Sequence, residues 1–456
     1  MVKYDKNKLA EITDAILDKK TVDEIEILVN ISDTALTRYA NSKIHQNIGR
    51  YDHNISIRAV DGKKVGSAST NILEEEDMID CLNRAEKIAE HQREDPNFKG
   101  LPSLREGRGS KDVYYKRTRD FTPEERAEKV KEMIDYASEK GVDRLYGAFK
   151  NEENILYVSN SKGIKKFSKQ TYSNLTSTAI ADWENDQGFG WGESCKADVR
   201  NIDHMEVAKT AVDKGLDNMD TESIEPGDFT VVLEPLAVKN LIMYLGMMGF
   251  SSRAVQEQRS FMNGKFGEKI MGDNITIYDD SLDEEMIGFP FDYEGVPKQR
   301  VDIIKEGVAN KVVYDSYTAG REEGKESTGH ALPMPNSMSP LPLNLMLDTG
   351  DSDIQEMIDE TKEGILVTRF NYCRAVHPVK SILTGLTRDG TWMIEGGEVT
   401  TPLKNLRFTQ NLLDAFNSAE LIGDTRRLFS LDYIPGYVSV PAMKIEDFSF
   451  TGTTEF

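Results

Sequence analysis

The stretch RLYGAFKNEENILYVSNSKG, residues 144–163, contains the pattern that decides the fold class of this sequence. Apolar and polar residues alternate along each half of the stretch, which predicts two successive β-strands. The tripeptide Asn-Ser-Lys at 160–162 also occurs 119 positions earlier, at 41–43. Because residues 23–43 show the same pair of alternating segments, the sequence predicts that one structural unit occurs twice.

A helix is predicted in front of each pair of strands. Leu9, Ile12 and Ile16 have the spacing of one helix face, and apolar residues recur at the same spacing 118 positions later. Thr122 and Glu125 give the second helix an N-cap hydroxyl and a capping-box acid. Two further strands and an alanine-rich helix are predicted to complete each unit.

The predicted fold class is α+β, with a duplicated N-terminal helix and strand region followed by a mainly β C-terminal domain with a few helices. The N-terminal α/β domain is predicted at residues 1–228. Its two similar units, at about 1–90 and 122–216, are expected to be joined by a linker arm rich in Pro, Gly and charge. Residues 229–456 are predicted to form the β-rich domain.

Within the C-terminal half, four segments predict particular elements. Hairpins are expected to turn at 306–307 and at 389–390, which are Glu-Gly and Asp-Gly pairs between alternating segments. Short helices are predicted at 353–361 and 409–417.

Composition excludes some classes of function. The 456 residues carry a formal charge of −22, which argues against nucleic acid as a partner. The three cysteines are far apart and odd in number, so a reducing compartment is expected. The charged N-terminus does not resemble a secretory signal. The most apolar window, 231–250, is interrupted by Glu234 and Lys239, so it predicts a buried helix at 236–248 and no membrane partner. We therefore expect a soluble, cytoplasmic protein.

Motifs for metal or nucleophilic catalysis are weak. HExxH and HExxxH do not occur in the sequence. Cys373 and His377 are four residues apart, but Pro378 and the flanking β-type residues argue against a helix there, so a structural thiol and a turn histidine are favoured over a metal site.

Two other segments have a functional and a structural interpretation. The glycines at 188, 190 and 192 lack the strand and long helix of a dinucleotide site, so bulge or strand-bend glycines are favoured. Asp279, Asp280, Asp283 and Glu284 have oxygens that could bind a hard cation, but in a chain this acidic a solvated loop is favoured.

Residues 289–331, FPFDYEGVPKQRVDIIKEGVANKVVYDSYTAGREEGKESTGHA, closely resemble the TldD/PmbA (TldE) family, whose members were once called modulators of DNA gyrase. The family segments F-D-x-E-G-x-P and T-G-[NH] both occur here. The residues that match them are Asp292, Glu294, Gly295, Thr328, Gly329 and His330. Segments 267–280, 333–340 and 392–405 and the duplicated first half also match, so the resemblance spans essentially the whole chain.

The resemblance implies a specific function. TldD-type members are zinc metallopeptidases with HExxxH and a late cysteine, and they act on unstructured peptides; PmbA-type members lack these residues and pair with a TldD-type subunit. Here Met243, Tyr244 and Met248 stand at the motif positions, and no cysteine follows Cys373. We therefore expect a zinc-free subunit with no catalytic residue or cofactor of its own, which forms a homodimer or pairs with a zinc-binding TldD-like subunit.

Two alternatives stay open. One is an active hydrolase that uses Cys373, His377 and His330 with nearby acids, if these residues converge in space. The other is a binding or modulator protein without peptidase function. Because Asn also occurs at the position of His330 in the family, we expect His330 to fix the loop running to Pro340 through a side-chain hydrogen bond.

Overall fold

The computed structural model describes residues 4–109, 111, 113–183, 186–431 and 434–453. Its N-terminal part is built on one six-stranded sheet. The strands are β1 (Glu24–Ala40), β2 (Lys43–Asp61), β3 (Lys64–Thr70), β4 (Arg144–Asn160), β5 (Lys165–Trp183) and β6 (Asp186–Lys196). The helices are α1 (Lys6–Leu17), α2 (Glu75–His91), α3 (Lys116–Arg119), α4 (Pro123–Glu139) and α5 (His204–Asp217), with a 3-10 turn at Val199–Asn201.

The sheet has the strand order β3-β2-β1-β4-β5-β6, and the element order α-β-β-β-α occurs twice along the chain, with α3 added in the arm between them. At the centre, β1 and β4 pair antiparallel with Asp33 opposite Glu153. Each of the two strands has 17 residues, and β4 begins and ends 120 positions after β1. A pseudo-two-fold axis therefore passes between β1 and β4.

The prediction of two separate strands at 144–163 is wrong, because β4 continues without a break from Arg144 to Asn160. Glu152 and Glu153, which separate the two alternating segments, remain paired with both β1 and β5. Their polarity is accommodated by polar neighbours: Thr34 Oγ1 donates a 2.7 Å hydrogen bond to Glu152.

The glycines at 188, 190 and 192 are neither bulges nor bends, since β5 and β6 pair without a register shift. A Cβ atom at these positions would lie 2.0, 2.0 and 2.2 Å from the carbonyl oxygens of Gly215, Ala211 and Val207. Those carbonyls are one helical turn apart along α5, and the glycines occupy every second position of β6. Glycine is required because the helix backbone packs directly on the strand.

The arm between the two units packs against other parts of the protein. The Asn160 side chain donates to the Pro102 carbonyl at 2.8 Å, and Thr171 N donates to the Val113 carbonyl at 3.1 Å. Arg108 forms a bidentate ion pair with Asp280 of the C-terminal region. The arm therefore connects the sheet to the rest of the protein.

The C-terminal region contains two more sheets. The first has the order β10-β9-β8-β11-β18-β17, and its strands are β8 (Ile277–Asp279), β9 (Val301–Lys305), β10 (Val308–Ala309), β11 (Asn344–Leu347), β17 (Arg427–Ser430) and β18 (Tyr437–Val440). The second has the order β12-β7-β19-β15-β13-β14, with β16 paired to β19, and its strands are β7 (Gly227–Leu233), β12 (Glu363–His377), β13 (Ile382–Glu395), β14 (Glu398–Pro402), β15 (Leu406–Asn411), β16 (Ala419–Ile422) and β19 (Met443–Thr453). Because β12 also pairs with β13, five strands close into a ring.

The C-terminal helices are short except for one. They are α6 (Pro235–Gly249), α7 (Ser252–Gln256), α8 (Ser316–Gly320), α9 (Ile354–Asp359) and α10 (Leu412–Asn417), with a 3-10 turn at Pro378–Lys380. The α+β class is confirmed, as are the buried helix at 236–248 and the short helix within 353–361. The helix predicted at 409–417 begins only at Leu412, because residues 409–411 belong to β15. In the part of the chain that the structure describes, no helix is both long and apolar enough to cross a membrane.

One of the two predicted C-terminal hairpins is confirmed, and the other is wrong. β9 and β10 turn at 306–307, as expected. By contrast, β13 continues through Asp389 and Gly390, where these two residues lie opposite the single residue Thr368 of β12. This is a β-bulge, and the positive φ values of 55° and 127° that favour Asp-Gly in turns serve here to bend the strand. Arg369 fixes the bulge by donating to Asp389 at 2.6 Å.

Candidate functional site

A cavity of about 230 Å³ lies where the N-terminal sheet meets the C-terminal region. β6 contributes Trp191 and Glu193 to its wall, β12 contributes residues 369–373, and α6 contributes Lys239, Asn240, Met243 and Tyr244. Pro235 begins α6 at its first turn, which places the helix directly after β7. Most of the α6 side chains pack into the C-terminal core, so the helix is a rigid wall of the cavity.

Met243, Tyr244 and Met248, which the family resemblance assigned to the zinc motif, lie on α6, and their side chains are unsuited to zinc. Met243 is buried at the cavity wall, and Met248 is buried in the apolar core. The Tyr244 hydroxyl donates to the carbonyl oxygen of Cys373. Thioether sulfur and a hydrogen-bonded phenol do not match the imidazole, thiolate and carboxylate ligands that zinc prefers. Among the residues that the structure describes, no group of three or more His, Cys, Asp or Glu is arranged to hold a metal ion.

The residues of the alternative hydrolase are not brought together at this cavity. Cys373 lies in its wall, but neither His330 nor His377 is part of the described lining. Cys373 and His377 lie on β12, which confirms that they are not on a helix. His330 is completely buried elsewhere, and both of its ring nitrogens are engaged.

The family-motif turn forms a separate buried polar cluster. Asp292 accepts hydrogen bonds from the backbone amides of Glu294, Val296 and Ala331 at 2.9 to 3.0 Å. Gly295 has a φ of 76°, and a Cβ there would lie 2.5 Å from Ile164 of the second unit. The F-D-x-E-G-x-P segment is therefore a tight turn whose glycine allows close contact with the N-terminal part.

Burial, followed by the adjacent Glu294 carboxylate, raises the pKa of Asp292. The same two causes raise the pKa of Asp315, the N-cap of α8. The turn therefore gathers several carboxyl groups in one buried region, with a cation supplied from elsewhere. That cation is Arg58 on β2, which contacts Glu294 at 2.9 Å.

His330 fixes its turn to the core of the C-terminal region. Its Nε2 atom donates to Asp279 on β8 at 2.9 Å, and its Nδ1 atom accepts from the Thr328 hydroxyl at 2.9 Å. Burial has the largest effect on the His330 ring, and it lowers the pKa, which favours the neutral imidazole. Gly329, with a φ of 78°, has no room for a Cβ, because Pro297 O would be 2.4 Å away.

The acidic segment 278–286 is not simply a solvated loop. Asp279 is fully buried and accepts from Asn344 N at 2.7 Å in addition to His330. Burial alone would raise the pKa of Asp279, but the nearby Lys298 and His330 lower it to about 2. Asp280 is paired with Arg108 of the arm, while Asp283 and Glu284 are more exposed. The prediction of a solvated loop is therefore wrong for Asp279 and Asp280.

Sequence reasoning missed Glu26 and Arg58, which are 4% and 5% exposed on neighbouring strands. Their signal was present: each interrupts an apolar run in a strand, and the two face each other in the β1–β2 register. An inward acid opposite an inward base in one hairpin predicts a buried ion pair.

Family models match three successive segments of the chain. Residues 25–89 match the PmbA/TldA metallopeptidase domain 1, residues 116–219 match the central domain, and residues 226–452 match the C-terminal domain. The chain belongs to the TldD/PmbA family. This membership accounts for the matching motif turn, which lies at the junction of the sheet and the C-terminal region.

Individual members of the TldD/PmbA family match this chain along most of their length. An uncharacterized protein of Methanocaldococcus jannaschii is 25% identical over 379 residues, which cover 82% of this chain and 85% of that protein. A metalloprotease of the same organism is 21% identical, and the match covers 86% of this chain and 88% of that protein. The crystal structure of TldE from Thermococcus kodakarensis superposes with a TM-score of 0.87 at 21% identity, covering 97% of this chain and all of that one. The fold is therefore shared across the whole chain.

Proposed function

We propose that this protein is a zinc-free, PmbA/TldE-like subunit that acts with a TldD-type metallopeptidase in processing unstructured peptides. One observation supports the proposal: Met243, Tyr244 and Met248, which the family resemblance assigns to the zinc motif, lie on α6, and Met243 and Tyr244 line the cavity. The side chains on the α6 wall of the cavity supply neither the ligands nor the base that zinc-dependent peptide hydrolysis requires.

The geometry of β12 supports a role in holding an extended peptide. β12 pairs with β7 through residues 364–367, and residues 369–373, which follow that pairing, line the cavity. Tyr372 is 79% exposed in this segment and has a φ of 48°, which marks the second irregularity in the β12–β13 ladder. An open strand edge beside a cavity can bind peptide backbone without requiring a particular sequence.

The test is reconstitution with a TldD-type paralogue that carries HExxxH. The purified chain, the paralogue and their mixture are compared for zinc content, for mass by light scattering, and for cleavage of an unstructured peptide. We expect cleavage by the mixture, inhibition by a chelator, and stoichiometric zinc only in the paralogue. A mixture in which the paralogue has lost the Glu of its motif is the matched control and should be inactive.

Three outcomes would contradict the proposal. Stoichiometric zinc with chelator-sensitive cleavage by this chain alone would identify it as an active metallopeptidase. Cleavage by this chain alone that is lost on replacing Cys373 would favour the alternative hydrolase. Absence of any complex or added cleavage with the paralogue would favour the binding or modulator function.

A further inference from the structure

A buried ion triad joins the N-terminal sheet to the C-terminal region. The Nη2 atom of Arg58 on β2 lies 2.9 Å from Glu26 on β1 and 2.9 Å from Glu294 in the motif turn. The three side chains are between 4% and 6% exposed. A single guanidinium nitrogen therefore serves two carboxyl groups from different regions, and Arg58 Nε has no hydrogen-bond partner among the described residues.

The carboxyl groups outnumber the cations in this cluster. The charged groups that act on Glu26 are Arg58 and Glu294. Glu294 in turn faces Asp292 and Asp315. On the far side of the turn, Lys298 is already matched by Asp279 at 3.9 Å. Four buried carboxyl groups and one guanidinium cannot all be ionised without a large uncompensated charge in a region of low dielectric.

The four carboxyl groups differ in how many hydrogen-bond donors stabilise their ionised form. Asp292 accepts from three backbone amides. Asp315 accepts from Thr318 N, Thr318 Oγ1 and Ser339 Oγ. Glu294 accepts from Arg58 and from Ser316 N. Glu26 has only the shared nitrogen of Arg58. Since donors stabilise the ionised form, Glu26 is poorly stabilised as a carboxylate. Burial and Glu294 also raise the pKa of Asp292, to about 8, but only Glu26 competes directly with Glu294 for the Arg58 nitrogen.

We propose that Glu26, Arg58 and Glu294 form a proton-sensitive clasp, which holds the sheet and the C-terminal region together while Glu26 is protonated and loosens when Glu26 ionises. With a proton on Glu26, Arg58 and Glu294 form a one-to-one buried pair. Without it, two carboxylates compete for one nitrogen and repel each other. Around the triad, Leu28 and Val158 of the sheet pack against Phe291, Tyr293 and Leu332. Ser56 Oγ of β2 also donates to Met334 O, at 2.9 Å.

The pH window follows from the chemistry of Glu26. Burial, opposed by Arg58 and reinforced by Glu294, raises the pKa of Glu26 from 4.5 to about 7. In the opened form the carboxyl group returns to its usual value, so opening releases a proton. Opening should become up to about tenfold more frequent per pH unit between roughly pH 5 and 7, and should level off above that. The clasp is therefore closed in mild acid and looser at neutral pH.

The test is hydrogen exchange of the whole protein at pH 5.0 and pH 8.0, corrected for the intrinsic pH dependence of amide exchange. Opening of the clasp is followed through the exchange of peptides that cover residues 291–296 and 327–341. In the wild type, corrected exchange of these segments should rise by tens of fold between the two pH values. In Glu26→Gln, which is isosteric with the protonated acid, the rise should be much smaller, and what remains reports the other buried carboxyl groups, Asp292 among them.

Glu152→Gln is the matched control, because Glu152 lies in the same sheet but contacts Thr34 and Lys150 instead of the motif turn. It should behave like the wild type. Equal corrected exchange of the wild type at the two pH values would overturn the clasp, and this result does not depend on whether any variant folds. An undiminished rise in Glu26→Gln would overturn the role of Glu26.

Discussion

The imidazole of His330 and the carboxylate of Asp279 are 2.9 Å apart, and both side chains are completely enclosed by protein. Asp279 ends β8 and His330 lies 51 residues later in the T-G-[NH] turn. The pair therefore joins the turn to the central part of a sheet. A histidine that looks catalytic because histidines are rare in this chain has a structural role.

Replacement of His330 by alanine should destabilise the protein by about 3 kcal/mol, because a buried carboxylate loses a hydrogen bond and a cavity remains. His330→Asn should cost about 1 to 2 kcal/mol, since an amide retains a donor near Asp279. Urea unfolding measures both values. Complete loss of folding or of partner-dependent cleavage in His330→Asn would show that the ring has a function beyond this bond.

Stability should also depend on pH through His330. Its pKa is lowered in the folded protein, mainly by burial, so the unfolded chain binds a proton that the folded chain does not. The stabilisation that the neutral His330 ring contributes is fully present above the usual histidine pKa of about 6.5, and it is lost as the pH falls below that value. The slope of the unfolding free energy between pH 6.5 and 5 should be smaller in His330→Asn than in the wild type. Identical slopes would mean that the ring is charged when folded. The Glu26 effect has the opposite sign and cancels in this comparison.

Gly190→Ala should destabilise the protein by about 3 kcal/mol or more, because the new methyl would overlap the Ala211 carbonyl and push α5 away from β6. Gly49→Ala is the matched control. Gly49 also lies in a strand of the sheet, but nothing is within 4 Å of a Cβ there. The melting temperatures of the two variants should differ clearly, with Gly190→Ala the lower. Similar melting temperatures would show that α5 can shift without cost.

Tyr244→Phe should cost about 1 to 2 kcal/mol, because the Cys373 carbonyl loses its donor at the edge of the cavity. Tyr146→Phe is a suitable control, since its hydroxyl bonds to Asn41 at an exposed site and its loss should change stability by about 0.5 kcal/mol or less. The measurement is denaturant unfolding with both variants at one pH. If Tyr244→Phe left the free energy of unfolding unchanged, this hydrogen bond would contribute nothing to holding α6 against β12.

The fold class was predictable from periodicity, because the repeated helix and strand patterns of the N-terminal half are local signals. Local signals failed where a long-range partner changed their meaning. The Asp389-Gly390 pair has turn chemistry, but Arg369 across the ladder holds it in a bulge. Glu152 and Glu153 remain within β4 because β1 and β5 pair with the strand on both sides.

The candidate site was predictable only in part. Residue types on α6 could be assigned from the sequence through the family resemblance, but the cavity has walls from β6, α6 and β12, which only tertiary packing brings together. The ion triad spans 32 residues between Glu26 and Arg58 and 236 between Arg58 and Glu294. The first separation lies within one hairpin and could be inferred from its register; the second depends on how two regions dock.

The register between β1 and β4 has a consequence for assembly of the sheet. Asp33 faces Glu153 at the centre of the pairing, and the strands are related by a constant shift of 120 positions. This is the arrangement of a symmetric dimer interface, formed here within one polypeptide. Separate half-chains would have to find each other by mass action, so their pairing would weaken on dilution. Covalent joining gives each half a fixed, high local concentration of its counterpart, and the central pairing becomes independent of protein concentration.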